Sequence, residues 1–225
     1  RLHPSESPIL GDYVVSLASQ ALETLGGRYG VEIDGPILIE VFPRHDDFAV
    51  RNLGLPGMIG ALGACFGRVV TMDSPRARPP GTFNWQSTLW HEMAHVITLQ
   101  MSRNRVPRWL TEGISVYEEG LANPAWGRNM ELTFAQALES GETLPLRQLN
   151  TGFTKPETIV LAYYQASLVV EHLVDLYGEN MLPEMLRGYA EGFDTEALLE
   201  QVAGTDFDAL QESFDVALEE RFGSL

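Results

Sequence analysis

Two histidines four positions apart, with a glutamate directly after the first, stand at His91-Glu92-Met93-Ala94-His95. On a helix such residues share one face about a turn apart, so both imidazoles can meet a single ion. Zinc takes neutral imidazole nitrogen at roughly 2.0–2.1 Å, and a catalytic zinc keeps three protein ligands and one open position. Glu92 can lean over that open position as a general base. The chemistry implied is metal-assisted hydrolysis, provided a third ligand exists. A core histidine beside a surface pair would produce the same letters, so the third ligand separates the two readings. Glu112, in Pro107-Arg108-Trp109-Leu110-Thr111-Glu112-Gly113, is the candidate. Sixteen residues lie between it and His95, enough to end one helix, turn and start another.

The elements that must carry these groups can be read from the flanks. Trp85–Met101 has no Gly or Pro and is rich in apolar residues (Leu89, Trp90, Met93, Val96, Ile97), which predicts a largely buried helix. Asn84 or Thr82 can cap its start, and Ser102 to Arg105 mark its end. Pro107 suits the first turn of a second helix, whose apolar face is Trp109, Leu110, Ile114, Val116 and Tyr117. A carboxylate near the start of that helix can point back at the histidine pair.

Composition narrows the partners. The chain has 225 residues, long enough for one large domain or two small lobes, and a formal net charge of −16. Such acidity disfavours nucleic acid, whose phosphates require a basic footprint, and docking on anionic lipid. Cys65 is the one cysteine, so no intrachain disulfide forms, and its small apolar neighbours predict a buried thiol. No uninterrupted run of about 18 apolar residues exists, so no transmembrane segment is expected. The chain starts at Arg1 instead of Met. It is therefore expected to be a trimmed piece with any signal segment already removed. Compartment stays open, with an extracytoplasmic location (periplasmic or secreted) favoured. Oligomeric state is unreadable.

In chain order, residues 1–8 read as a tail or linker. A helix follows over 9–29, ended by Gly26-Gly27 or Gly30, then a strand over Ile37–Phe42 stopped by Pro43 and a short helix over Asp46–Arg51. His45 is expected to be a surface histidine. Leu53 to Gly67, with glycine at 54, 57, 60, 63 and 67, is a loop that lines a cleft or forms a bulged edge strand. Phe66–Asp73 is expected as a second strand, an edge beside the metal helix able to pair with an extended peptide. Ser74–Gly81 and Gly120–Gly127 read as loops, and 144–154 as a connection. Further helices are expected over 132–138, 158–177, 181–190, 195–202 and 206–222, the last capped by Asp206. The predicted fold is α+β: a small N-terminal sheet lobe plus helix (1–84), and a lobe with the metal helix and a mostly helical remainder (85–225). An active-site cleft is expected between the lobes of this single domain.

At His91, Glu92, His95 and Trp109-Leu110-Thr111-Glu112-Gly113 the chain resembles the gluzincins, metallopeptidases that join two motif histidines to a glutamate from the next helix. It is similar in particular to bacterial peptidase MA-like domains, and more distantly to aminopeptidase N and thermolysin. The similarity extends weakly to Ala162-Tyr163-Tyr164-Gln165-Ala166. Laid on the Tyr-x-x-Gly helix of the aminopeptidase-N family, Tyr163 takes the place of the oxyanion-donating tyrosine and Ala166 that of the glycine. The resemblance implies a zincin-type catalytic domain with one Zn2+ held by His91, His95 and Glu112, acting on a peptide or protein substrate.

Three departures are visible. The interval to Glu112 is a little shorter than in thermolysin or aminopeptidase N. Val116 replaces the aspartate that orients a histidine in thermolysin, leaving Ser115 or a backbone carbonyl as candidates for that role. Gly60-Ala61-Leu62-Gly63 lacks the glutamate with which aminopeptidases capture a free amine, so an endopeptidase is expected. In that reading Glu92 is the base and Tyr163 or Tyr164 stabilises the oxyanion; adjacent tyrosines on a helix face different ways, so at most one serves. His172 is a further possible donor, but its apolar stripe predicts a core histidine. The alternatives are a zinc-stabilised non-catalytic interaction module and a metal hydrolase acting on a non-peptide amide or ester.

Overall fold

The structure is a computed structural model in which residues 1–55, 60–126 and 130–223 are described. Its elements bear out the mixed α+β architecture, with a small sheet in the N-terminal part and a helical remainder. Contacts cluster into two units, Arg1–Gln100 and Met101–Leu225.

The first unit begins with α1 (Ser7–Tyr29), which buries Val14, Ala18, Ala21, Leu25 and Tyr29 at helical spacing. It runs through Gly26 and Gly27 and stops at Gly30, whose φ of 62° is the left-handed conformation glycine adopts without strain. Then come β1 (Leu38–Phe42), α2 (His45–Leu53), β2 (Gly63–Phe66) and β3 (Val69–Asp73). The strand order is β1-β3-β2, with β1 parallel to β3 and β2 antiparallel to it. Central β3 buries Val70, Thr71, Met72 and Asp73 in succession, as expected of a strand covered on both faces.

Three expectations for this unit need correction. Residues 1–8 are no free tail: Leu2 bridges Val41, and the Ser74 hydroxyl donates to buried Glu6 at 2.7 Å. Phe66–Asp73 is not one edge strand, because Gly67 (φ 71°) opens a tight turn. The edge is β2, and β3 is central. His45 is not a surface histidine: its Nδ1 lies 2.8 Å from Oδ2 of fully buried Asp73, which also accepts from Arg78 Nε at 2.8 Å. Gly57, read with the glycine-rich loop, lies outside the described residues, as does Gly127.

α3 (Trp85–Met101) closes this unit with the predicted bounds, and Asn84 Oδ1 accepts from the Gln86 and Ser87 amides as its cap. In the second unit, α4 (Arg108–Ala122) starts just after Pro107, which is the cap residue and not the first helical one. Its Trp109 amide donates to Asn150 Oδ1 at 2.9 Å, so a residue 41 positions away satisfies one orphan donor of the helix start. The helix continues over Gly120, where a loop was expected. α5 (Glu131–Glu139), α6 (Leu149–Gly152), α7 (Ile159–Tyr177), α8 (Met181–Glu191), α9 (Thr195–Leu198) and α10 (Phe207–Phe222) follow. The single helix expected over 195–202 is split, since α9 passes into a π turn at Leu199–Ala203.

α7 is the spine of this unit; α4, α5, α6, α8 and α10 all touch it. By length and composition alone it could cross a membrane, but Ala162, Tyr164–Val170 and Leu173 are buried. Its Gln165 amide pairs with both backbone groups of Leu144. α4 and α7 approach so closely that a Cβ at Gly113 would lie 2.5 Å from the Ala166 carbonyl oxygen. Glycine beside Glu112 and alanine at 166 therefore set the distance between these helices.

Candidate metal centre

α3 is almost wholly buried from Leu89 to Thr98, so its polar residues are held in fixed rotamers among apolar neighbours. His91 and His95 are 8% and 9% exposed, with ring centroids 4.7 Å apart and planes at 82°. Two imidazoles on one face, edge to face and mostly dry, are pre-aligned for a shared ligand. Glu92 is 5% exposed and faces the sheet edge: a Cβ at Gly63 would lie 2.5 Å from Glu92 Oε1. The β2–β3 hairpin thus runs along α3, and glycine at 63 makes the room that the carboxylate occupies. Cys65 on the same strand is half-buried. Burial, and then the Glu92 charge, push its thiol pKa upward, which makes it a poor nucleophile.

This contact supports a specific expectation. A methyl group in Gly63→Ala displaces the end of the Glu92 side chain and leaves α3 in place. Any reaction in which Glu92 carries a proton should then slow by about tenfold or more, as expected of a displaced acid–base group. Metal content and thermal midpoint should stay near wild type; comparing kcat, metal content and unfolding of the two proteins checks this.

On α4, Glu112 is 7% exposed. Its Oε1 accepts from Arg108 Nε at 3.2 Å, one turn back, and from the Tyr163 hydroxyl at 3.4 Å. The tyrosine bond is long for O–H···O and therefore weak. Adjacent Tyr164 points elsewhere: it is 7% exposed, its ring sits 5.4 Å from Phe134, and burial raises its hydroxyl pKa. His172 lies 2.9 Å from Ser213 Oγ against Phe214, and burial lowers its pKa, which is core behaviour.

His91, His95 and Glu112 each offer one ligand atom, and those atoms lie within 4.8 Å of one another. Two imidazole nitrogens and a carboxylate oxygen, nearly dry, are a donor set that suits a divalent metal such as zinc. Arg108 was not singled out in the sequence, although its place one turn before Glu112 is the signal that could have found it.

A family model of the peptidase MA superfamily matches residues 69–220. The chain belongs to the peptidase MA superfamily. The matched span runs from β3 through most of α10 and includes His91, Glu92, His95, Glu112, Tyr163 and Tyr164. No curated protein and no solved structure matches the chain. Membership of the superfamily supports a metallopeptidase-type function, and the three-residue donor set is a group that could bind its metal.

Proposed function

We propose that this member of the peptidase MA superfamily is a zinc-dependent endopeptidase of the gluzincin type. The observation that carries the reading is the grouping of His91, His95 and Glu112, with Glu92 beside one of the histidines in sequence. Three nitrogen and oxygen ligands from protein are the number found in catalytic zinc sites, where one position stays open. A zinc ion held by these three residues supplies Lewis acidity, polarising a carbonyl and acidifying water.

The chain's own residues account for the rest. Glu92 takes one proton from the attacking water as its oxygen bonds to the scissile carbonyl carbon. The same carboxyl then gives that proton to the amide nitrogen as the C–N bond breaks, so it finishes ionised. Tyr163 donates its hydroxyl to the oxygen that gains negative charge; such a donor is typically worth about 2.7–4 kcal/mol. Tyr164, packed against Phe134, takes no part.

An extended substrate fits the sheet edge. β2 ends the strand order, and Gly63 on it touches Glu92, so a peptide paired along β2 passes the base. Main-chain pairing does not require a free terminus, and Gly60-Ala61-Leu62-Gly63 offers no carboxylate for a substrate amine. Cleavage inside the chain follows. The test is a mixed peptide library with blocked and free N-termini. Internal cuts in both sets support the reading; single-residue release confined to free N-termini, or no cleavage of any peptide by the zinc-loaded protein, contradicts it.

A further inference from the structure

We propose that Arg108 is a positioning residue that presents Glu112 to the metal, by occupying one carboxylate oxygen and assigning the other to the ion. The inference rests on the reading of Glu112 as a metal ligand. Both hydrogen bonds to this carboxylate from Arg108 and Tyr163 fall on the same atom, Oε1. A carboxylate clamped at one oxygen cannot rotate freely about its last bond, so its other oxygen is held in one direction. That is how outer partners orient a ligating carboxylate.

The two donors differ in how firmly they are held. Tyr163 reaches Oε1 at 3.4 Å and has another acceptor to serve during catalysis. Arg108 is tied at several points, one of them a side-chain hydrogen bond with Tyr163 itself. Nε donates to Glu112 Oε1 at 3.2 Å, Nη1 donates to the Phe153 carbonyl at 3.2 Å, and the guanidinium carbon lies 5.2 Å from the centre of the Phe153 ring. The same ring stands edge-on to Tyr163, with centroids 5.2 Å apart. Phe153 therefore braces both donors. When the tyrosine leaves for the substrate, the arginine still fixes the carboxylate. A planar fork with several donors can satisfy a carboxylate and a carbonyl together, whereas a lysine offers one ammonium on a flexible stem.

The full-length apo chain should be titrated with zinc in competition with a chromophoric chelator, for wild type, Arg108→Gln, Arg108→Lys and Tyr163→Phe. Thermal unfolding of each apo protein reports whether the fold survives. Arg108→Gln is expected to weaken zinc binding by about 10–100-fold, the usual effect of losing such a partner. Arg108→Lys, which keeps the charge beside Glu112 but loses the Phe153 anchor, should fall between. Tyr163→Phe should stay within about threefold of wild-type affinity, and with zinc present should lose kcat by about 10²–10³-fold. Zinc affinity of Arg108→Gln within about twofold of wild type overturns the proposal; so does Arg108→Lys binding no better than the glutamine variant, or a wild type with no zinc affinity. A wild type that binds zinc tightly but cuts no peptide removes the endopeptidase reading alone, because the affinity comparison still decides the role of Arg108.

Discussion

Replacing Glu92 with glutamine is expected to lower kcat for peptide hydrolysis by about 10²–10⁴-fold, the range a positioned acid–base group contributes. The substitution keeps the size of the side chain and its place against Gly63, and removes the ability to hold a proton in transit. Glu92 is not among the three residues whose ligand atoms converge, so zinc content should be unchanged. Stability should not suffer either, because a 5% exposed carboxylate becomes a neutral amide of the same shape. Steady-state rates with zinc content measured on the same samples check this. A variant within about tenfold of wild type would move the base to another residue.

Loss of one imidazole should be larger in its reach. His95→Ala removes one of three ligands, and zinc affinity should fall by about 10²–10³-fold, taking the total for a structural zinc site and dividing it among its ligands. Hydrolysis then drops to background at ordinary zinc concentrations. A thermal signature accompanies this. A ligand that binds only the folded chain stabilises it by about 4 kcal/mol at a thousand times its Kd. Wild type should therefore gain in melting temperature as zinc is added, and His95→Ala should not. Equal zinc-dependent shifts in the two proteins would place the metal elsewhere.

The parts of this fold legible in sequence are those specified locally. α3 carries its own cap in Asn84 and an unbroken apolar run, so its bounds could be read residue by residue. α7 ends at Gly178 as expected, for the same reason. What could not be read depends on partners distant in sequence. The first residues look like a linker because Pro and Ser disfavour regular structure, yet Leu2 and Glu6 are fixed by Val41 and Ser74. His45 is drawn inward by Asp73, 28 positions later. Gly67 belongs to an apolar run that reads as strand, and only the pairing of β2 with β3 makes it a turn.

The candidate site divides the same way. His91, Glu92 and His95 follow from spacing on one helix, and Glu112 from an interval that allows a second. Choosing Tyr163 over Tyr164 requires the rotation of α7, which the close approach of Gly113 to Ala166 sets. Arg108 acquires meaning only when Phe153, 45 positions away, accepts its other donor.

The most direct test of the central claim is a crystal structure of the zinc-loaded chain with anomalous data collected at the zinc edge. The account predicts one anomalous peak bonded to nitrogen of His91 and His95 and to an oxygen of Glu112, with no fourth protein atom in the coordination sphere. A peak away from these residues, or a fourth protein ligand closing the site, would contradict it.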